Sequence, residues 1–142
     1  MKPEEMKALG RRELLVWNEG DWNAFDDLYA SSFINRSNGN DFTAHKHAIE
    51  MLRIAFPDVC ITIVDHLVDG DKLIARWTGT GTHENTFVGI PATHKSVEIM
   101  GITIFRVANG KFVEGWINGD DAGLMRQLGV TMVPPNDTAQ SH

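Results

Sequence analysis

The chain has 142 residues, of which 42% are apolar and 23% are charged, a balance that is ordinary for one globular domain. Thirteen basic against nineteen acidic residues give a formal net charge of −6, so we expect no broad basic surface for a nucleic-acid backbone. No apolar run approaches the roughly 20 residues that cross a bilayer, and neither end has the pattern of a cleaved signal. These features argue against nucleic-acid and membrane partners and predict a cytoplasmic protein.

The N-terminal part of the chain is predicted to be helical. Pro3 and the two glutamates after it favour a first helix over residues 4–17, and Asp21 is placed to cap a second helix. A short edge strand, 33–35, follows. The second helix carries an inward-facing stripe at spacings of three and four, formed by Trp22, Phe25, Leu28 and Tyr29.

A third helix is predicted to begin at Thr43 and to end before Pro57. His45 and His47 are two residues apart on this helix and point to different sides, which argues against a shared metal ion. His47 is expected to face a cavity because it lies four residues from Met51. The apolar face of the helix is predicted to comprise Ala44, Ala48, Met51, Leu52, Ala55 and Phe56.

After Val59 the hydrophobic period changes to two, which indicates strands. The single cysteine, Cys60, excludes an intrachain disulfide, and we interpret it as a small buried residue. A second strand, 72–83, places Trp77, two glycines and His83 on one face. Because glycines beside a tryptophan leave room, this face is expected to line a cavity.

The C-terminal third reads as a β-hairpin followed by a helix. Its first arm is 97–106, Asn109-Gly110 is the turn, and the second arm places Phe112, Glu114, Trp116 and Asn118 on one face. Asp120 falls on that same face if the strand continues. A carboxylate that is desolvated beside a tryptophan can act as a proton-transfer group. The alternative is that Asp120 or Asp121 only caps the helix that begins near Gly123.

Helices followed by a meander of strands predict an α+β domain in which the helices pack on one curved sheet. We expect one domain, 1–130, and a loose tail, 131–142. The sequence contains no phosphate loop, dinucleotide fingerprint or nucleophile elbow, and its other histidines have no spacing partner. We therefore predict neither a cofactor nor a metal.

Three segments, in this order and spacing, resemble a known family. They are Arg76–His83, then Gly89-Ile90-Pro91, then Trp116 with Asp120 four residues on and Gly123-Leu124 behind it. Together they resemble the SnoaL-like polyketide cyclases, also called the ester cyclase family, over about 9–129. Two positions depart from the family pattern: His94-Lys95 replaces Gly-Lys, and Arg36 stands where histidine is common.

The resemblance implies a cone-shaped α+β barrel of the nuclear transport factor type, with N-terminal helices on a strongly curved, mostly antiparallel sheet. It implies a cofactor-independent intramolecular aldol ring closure of an aromatic polyketide ester. The aspartate that acts as acid and base matches Asp120, and a histidine that polarises a carbonyl matches His83. The small apolar or aromatic substrate is expected to contact Phe33, Asn35, His47, Met51, Trp77, Phe105, Trp116 and Asn118.

Members of this family pair through the open face of the sheet, so the resemblance also implies a homodimer or a higher homo-oligomer. The residues expected on that outer face are Ile74, Thr78, Thr80, Ile102 and Ile104.

Two other classes of function stay open. One is an isomerase, hydrolase or cofactor-free hydroxylase on the same fold. An epoxide hydrolase of this fold needs an arginine and two aspartates around one water, and Arg76-Trp77-Thr78 lacks the first aspartate. The other is a non-catalytic small-molecule-binding domain, which a filled cavity and a solvent-exposed Asp120 would favour.

Overall fold

The computed structural model describes residues 1–131, 133 and 134, and within them four helices pack on a five-stranded sheet. The predicted α+β class is confirmed, whereas the tail predicted over 131–142 lies almost wholly outside the described residues. No helix of the described part is long and apolar enough to cross a membrane. The elements are α1 (Pro3–Glu19), α2 (Trp22–Leu28), β1 (Tyr29–Asn35), α3 (Phe42–Ala55), β2 (Cys60–Asp69), β3 (Lys72–Thr82), β4 (Ser96–Ala108), β5 (Lys111–Gly119) and α4 (Asp121–Gln127).

The sheet has the strand order β1-β5-β4-β3-β2, and its pairs are antiparallel except that β1 runs parallel to β5. It is open, with β1 and β2 as its edges, and is not the closed barrel that we expected. Part of the β2 edge is occupied by a side chain. The Asn18 amide accepts the Ile61 main-chain N–H at 2.6 Å and donates to the Ile61 carbonyl at 3.0 Å. These two bonds satisfy main-chain groups that a further strand would otherwise pair.

Short polar side chains set where the helices begin, as the sequence predicts for Asp21. Asp21 accepts the Ala24 N–H at 3.0 Å, and Asp41 accepts the Ala44 N–H at 2.9 Å. Each bond satisfies one of the N–H groups that have no partner inside the helix. Gly20 ends α1 with a φ of 66°, a left-handed conformation that glycine adopts at low cost.

An aromatic cluster between the helices and the inner face of the sheet forms the main core. Tyr29 lies at its centre, with its ring centroid 4.3 Å from that of Phe25 and 4.8 Å from that of Phe33. Phe105 and Phe112 stack beneath it at 4.0 Å. The aromatic stripe predicted for the second helix therefore does face the core.

The predicted inner face of the third helix is confirmed at its C-terminal end, where Ala55 and Phe56 are buried, and is wrong in the turns before it. His45 and Ile49 are buried, whereas Ala48 and Met51 are exposed. The aromatic cluster explains the difference, because the His45 ring fits against Tyr29 and Phe33 with centroid distances of 5.2 and 5.1 Å. With His45 and Ile49 on the inner side of the helix, Ala48 and Met51 lie on its outer side.

Cys60 is exposed, so the prediction of a buried thiol is wrong. It opens the edge strand β2 and pairs with Thr80, and alternate residues of these strands point away from the helices. The alternation along β2 explains the exposure, because Ile61 and not Cys60 faces inward opposite Gly79.

Val88 is expected to destabilise the loop in which it lies. It has a φ of 43° at the tip of a tight turn in which Phe87 and Ile90 exchange main-chain hydrogen bonds, and it is 73% exposed. A β-branched residue is strained at positive φ, whereas Asn followed by Gly is preferred in such turns. We expect Val88→Asn to raise the free energy of unfolding by about 1 kcal/mol in a urea titration.

Val88→Ala is the control for this prediction, because alanine removes the branch but keeps a Cβ atom. It should give a smaller gain. A Val88→Asn protein no more stable than the wild type would show that the turn relaxes without cost.

Candidate functional site

Trp77 forms the floor of the inner face of the sheet. Its indole lies over Gly101 and Gly119. A Cβ atom on Gly101 would overlap the indole, and a Cβ atom on Gly119 would stand 3.1 Å from Trp77 Cη2. The indole Nε1–H donates to Thr103 Oγ1 at 3.0 Å. Three strands thus supply one rigid, half-buried aromatic surface, because glycines give it room and one hydrogen bond fixes its direction.

The glycines of β3 do not leave the open space that we expected. A Cβ atom on Gly79 would stand 2.9 Å from Ile61 Cδ1, and one on Gly81 would stand 3.2 Å from Phe56 Cβ. The room is therefore taken by side chains from β2 and from the C-terminal end of α3.

A small cavity remains beside this floor. Its volume is about 40 Å³, close to the share of one water molecule in the liquid and far below the roughly 300 Å³ at which ligand pockets begin. A multi-ring substrate therefore needs the surrounding elements to move apart. The lining comes from α3, β2, β3, β4 and α4 and comprises Leu52, Phe56, Ile61, Gly79, Thr80, Gly81, Val97, Ile99 and Leu124.

His83 follows β3 and is completely buried. Its ring stacks on Phe56 with a centroid distance of 5.3 Å, and its Nδ1 lies 3.0 Å from Thr93 Oγ1. Its Nε2 is buried and has no hydrogen-bond partner among the described residues. An unpaired buried polar atom is costly, which makes His83 a candidate for contact with a ligand.

Asp120 caps α4. Its Oδ1 accepts the Gly123 N–H at 2.9 Å, its own N–H donates to the Met100 carbonyl at 3.0 Å, and its side chain is exposed. The capping role that the sequence left open is therefore confirmed. The proton-transfer role stays a prediction.

Trp116 and Asn118 do not face inward, so the predicted parity of the last strand is wrong. Val107 pairs with Phe112, but Arg106 pairs with Glu114, so one residue of β5 is left over as a bulge. Beyond a bulge the side chains of a strand exchange faces. The two residues consequently share the outer face with Ile104 and Ile102, their partners on β4.

Glu114 is turned outward by the same bulge and lies between two arginines. Arg36 Nε donates to its Oε2 at 2.8 Å and Arg106 Nε donates to its Oε1 at 2.6 Å. These hydrogen bonds, first that from Arg106, hold the pKa of the Glu114 carboxyl below its usual value. The cluster ties β1, β4 and β5 together on the outer face.

The other residues predicted to contact substrate are dispersed. Phe33 and Phe105 are buried in the aromatic core, and His47 and Met51 are exposed on α3. Asn35 is buried, and its Oδ1 accepts the Ser37 N–H at 3.0 Å in a local turn. Of the predicted set, Trp77 and His83 are those that β3 directs inward. Whether any of these residues binds a ligand stays a prediction.

A buried polar network in the core escaped the sequence analysis. Glu13 Oε2 accepts hydrogen bonds from the Trp17 indole and from the Tyr29 hydroxyl, the latter at 3.0 Å. His45 Nε2 lies 3.4 Å from the Tyr29 oxygen. Burial raises the pKa of Glu13 to about 7 and lowers that of His45 to about 4. One signal could have revealed it, because Glu13 lies in the helical stripe of Met6, Gly10 and Val16 that α1 buries.

Metal-binding side chains do not converge in the described part of the chain. No group of three His, Cys, Asp or Glu residues there lies close enough to hold an ion.

A family model described as SnoaL-like polyketide cyclase matches residues 8–128. The chain belongs to the SnoaL-like polyketide cyclase family. No curated protein matches this SnoaL-like chain. The solved structures that are similar to it at 25% identity or more include two from Streptomyces. TsrD from Streptomyces laurentii has 28% identity and a TM-score of 0.84, and the match covers 92% of this chain and 99% of that one.

AclR from Streptomyces galilaeus, a candidate hydroxylase, has 25% identity and a TM-score of 0.83 over 99% of this SnoaL-like chain and 95% of its own. A protein from Catenulispora acidiphila with a ketosteroid isomerase-like fold has 13% identity and a TM-score of 0.70 over 89% and 97% of the two chains. That likeness concerns the fold alone. The expected fold type is therefore confirmed, with the open sheet as its correction.

Proposed function

We propose that this protein is a cofactor-independent cyclase that closes a ring in an aromatic polyketide ester by intramolecular aldol condensation. The observation that carries this proposal is the family match over 8–128, in which Asp120 stands four residues after Trp116. The position of Asp120 between β5 and α4 supports it further, because Leu124 of α4 lines the cavity one helical turn away.

The proposed chemistry needs one base and one hydrogen-bond donor. The Asp120 carboxylate removes a proton from a carbon between two carbonyl groups, and the resulting enolate carbon attacks a second carbonyl of the same molecule. A carbon–carbon bond forms, and the new alkoxide takes the proton back from Asp120. His83 donates a hydrogen bond to the enolate oxygen. General acid–base catalysis of this kind contributes about 10²–10⁴-fold.

Substrate entry requires the cavity to open. Because about 40 Å³ holds no ring system, Leu52 and Phe56 of α3 or Leu124 of α4 must move outward. Of these elements α4 is the shortest, with seven residues. Movement of α4 also changes the surroundings of Asp120, because its carboxylate caps that helix.

The second candidate is a non-catalytic binding domain. Two observations favour it: Asp120 is exposed, and side chains largely fill the space beside Trp77. Such a domain binds a small aromatic ligand without converting it.

The deciding experiment incubates the purified protein with an aromatic polyketide methyl ester and follows the products by chromatography and mass spectrometry. A cyclase gives a ring-closed isomer or its dehydrated form. A product that gains one oxygen atom from O₂ indicates a hydroxylase. Binding without conversion, measured by calorimetry with an anthraquinone, refutes the cyclase proposal and leaves the binding domain.

We further propose that the outer face of the sheet pairs with a second copy of the chain. Leu67 of β2 and Met100 and Ile102 of β4 point outward on the two sides of β3, and they are 62%, 63% and 51% exposed. Arg76 and Asp65 form an ion pair at 2.6 Å beside them. Exposed apolar residues that lie together on one sheet face are typical of an interface between copies.

Ile102→Asp is expected to convert this dimer into a monomer, because the substitution places a charged carboxylate in the proposed apolar interface. Light scattering at micromolar concentration measures the mass. Ile54→Asp is the matched control, since Ile54 is 55% exposed on α3, away from the sheet face. A wild-type protein that is already monomeric, or equal effects of both substitutions, would refute the proposed interface.

A further inference from the structure

We infer that Thr93 is a positioning residue for His83: it holds the imidazole in the tautomer that carries its proton on Nε2, so that this N–H is presented to an acceptor oxygen of a ligand. The contact between this N–H and a ligand oxygen rests on the proposed function, because the cyclase reaction supplies an enolate oxygen. The tautomer itself follows from the contacts of the loop between β3 and β4.

Two donors of Thr93 converge on one nitrogen of His83. The Thr93 main-chain N–H lies 3.2 Å from Nδ1, and a main-chain N–H can only donate. Thr93 Oγ1 lies 3.0 Å from the same atom and accepts the Lys95 N–H at 3.4 Å, which leaves the hydroxyl proton free to point at Nδ1. Nδ1 is therefore an acceptor without a proton, and the proton of the neutral ring is on Nε2.

The loop is built so that Thr93 stays beside the ring. The His83 N–H donates to the Lys95 carbonyl at 3.0 Å, and the His94 N–H donates to the His83 carbonyl at 2.9 Å. His94 has a φ of 59°, which turns the chain back toward β3. On the other side the ring stacks on Phe56. Rotation of the imidazole by half a turn would place Cδ2 instead of Nδ1 beside Thr93, so it would lose both hydrogen bonds from Thr93.

The Nε2–H is the group that this arrangement leaves unused. It is buried, and no described residue accepts from it. A buried donor without an acceptor is destabilising, and a ligand that brings a carbonyl or enolate oxygen removes that penalty. A ligand that offers only donors at this point does not. The chemical class selected at His83 is therefore an acceptor oxygen on an apolar ring system.

The test reads the tautomer directly by long-range ¹H–¹⁵N NMR of labelled histidines, with the His83 signals assigned from a His83→Gln protein. The wild type is expected to show Nδ1 as the nitrogen without a proton. Thr93→Val removes the hydroxyl and keeps the shape, so the population of the other tautomer should rise by up to about tenfold, the effect of one neutral hydrogen bond. Thr93→Ser should restore the wild-type spectrum.

Thr82→Val is the matched control. Its hydroxyl, one residue before His83, donates to Asp58 Oδ2 at 2.7 Å and does not contact the ring, so its loss should leave the tautomer unchanged. A wild-type spectrum with the proton on Nδ1 would overturn the inference. A Thr93→Val spectrum identical to the wild type, or one matched by Thr82→Val, would also overturn it.

A second arm separates this inference from the proposed function. Addition of 1,8-dihydroxyanthraquinone, a planar probe with carbonyl oxygens, is expected to shift the His83 Nε2–H signal in the wild type. If the signal shifts and no ester is converted, the tautomer and the ligand contact stand while the cyclase proposal falls. If ester is converted but the Nε2–H signal does not respond to the probe, the proposed ligand contact of His83 is wrong.

Discussion

Replacing Asp120 with asparagine is expected to lower the rate of ring closure by at least about 100-fold while α4 stays folded. The amide is nearly isosteric with the carboxylate but cannot accept a proton near neutral pH. Asparagine is as good an N-cap as aspartate, so its Oδ1 can still accept the Gly123 N–H that Asp120 now holds at 2.9 Å. The substitution therefore removes the base and keeps the cap. Turnover of the polyketide ester under saturating and limiting substrate measures both kcat and kcat/KM.

Two further variants separate catalysis from helix capping. Asp121→Asn changes the adjacent exposed carboxylate in the first turn of α4 and should leave turnover within about twofold, because the base is untouched. Asp120→Ala removes the cap as well and should cost a further 0.5–2 kcal/mol or so of stability. If Asp120→Asn keeps most of the wild-type activity, the base is another residue, and the mechanism placed on Asp120 is wrong.

The helices and the turns of this protein could be predicted because their signals are local. Asp21 and Asp41 each cap a helix through the N–H three residues on, an interaction that depends on four consecutive residues. Asn109-Gly110 likewise adopts positive φ at both residues, as its turn requires. Such features need no knowledge of the rest of the chain.

The inward face of the last strand could not be predicted, because it depends on a pairing between two strands. Alternation alone places Trp116 with Phe112, and one unpaired residue of β5 reverses that assignment for every residue that follows. The error reaches the candidate site, since it separates Trp116 from Trp77. A bulge leaves no local signal here, as neither glycine nor proline marks it.

The filled cavity was also beyond sequence reasoning. Gly79 and Gly81 do leave room above the sheet, but Ile61 from β2 and Phe56 from α3 occupy it. Which side chain enters such a space depends on where α3 lies over the sheet, and that position is fixed by long-range packing. The predicted direction of Trp77 and His83 required only the alternation along one regular strand.

Glu13 could have been found from its helical spacing, and its burial has a large expected consequence for the dependence of stability on pH. Burial raises its pKa from 4.5 to about 7 in the folded protein. The folded state therefore binds this proton more tightly than the unfolded state, and the stabilisation that the proton gives is complete below pH 4.5 and is lost as the pH rises toward 7. The loss corresponds to about 3 kcal/mol.

Glu13→Gln removes that loss, because the amide oxygen can still accept from Trp17 and Tyr29 but carries no charge at any pH. The free energy of unfolding of the variant should equal that of the wild type near pH 4 and exceed it by about 3 kcal/mol at pH 8. His45 changes the stability with pH in the opposite direction. Since burial lowers its pKa to about 4, stability falls as the pH drops from 6.5 toward 4. In the wild type the pH dependence of the free energy of unfolding due to Glu13 opposes the one due to His45. In Glu13→Gln only the pH dependence due to His45 should remain.

Urea titrations at pH 4, 6 and 8, at one protein concentration, measure these differences. Glu19→Gln is the matched control, because Glu19 is an exposed glutamate at the end of the same helix, and its effect should stay within about 0.5 kcal/mol at each pH. A Glu13→Gln effect that is the same at pH 4 and pH 8 would mean that the pKa of Glu13 is the same in the folded and unfolded protein. The buried network would then hold a charge at neutral pH, and Glu13 would not oppose the effect of His45 on stability.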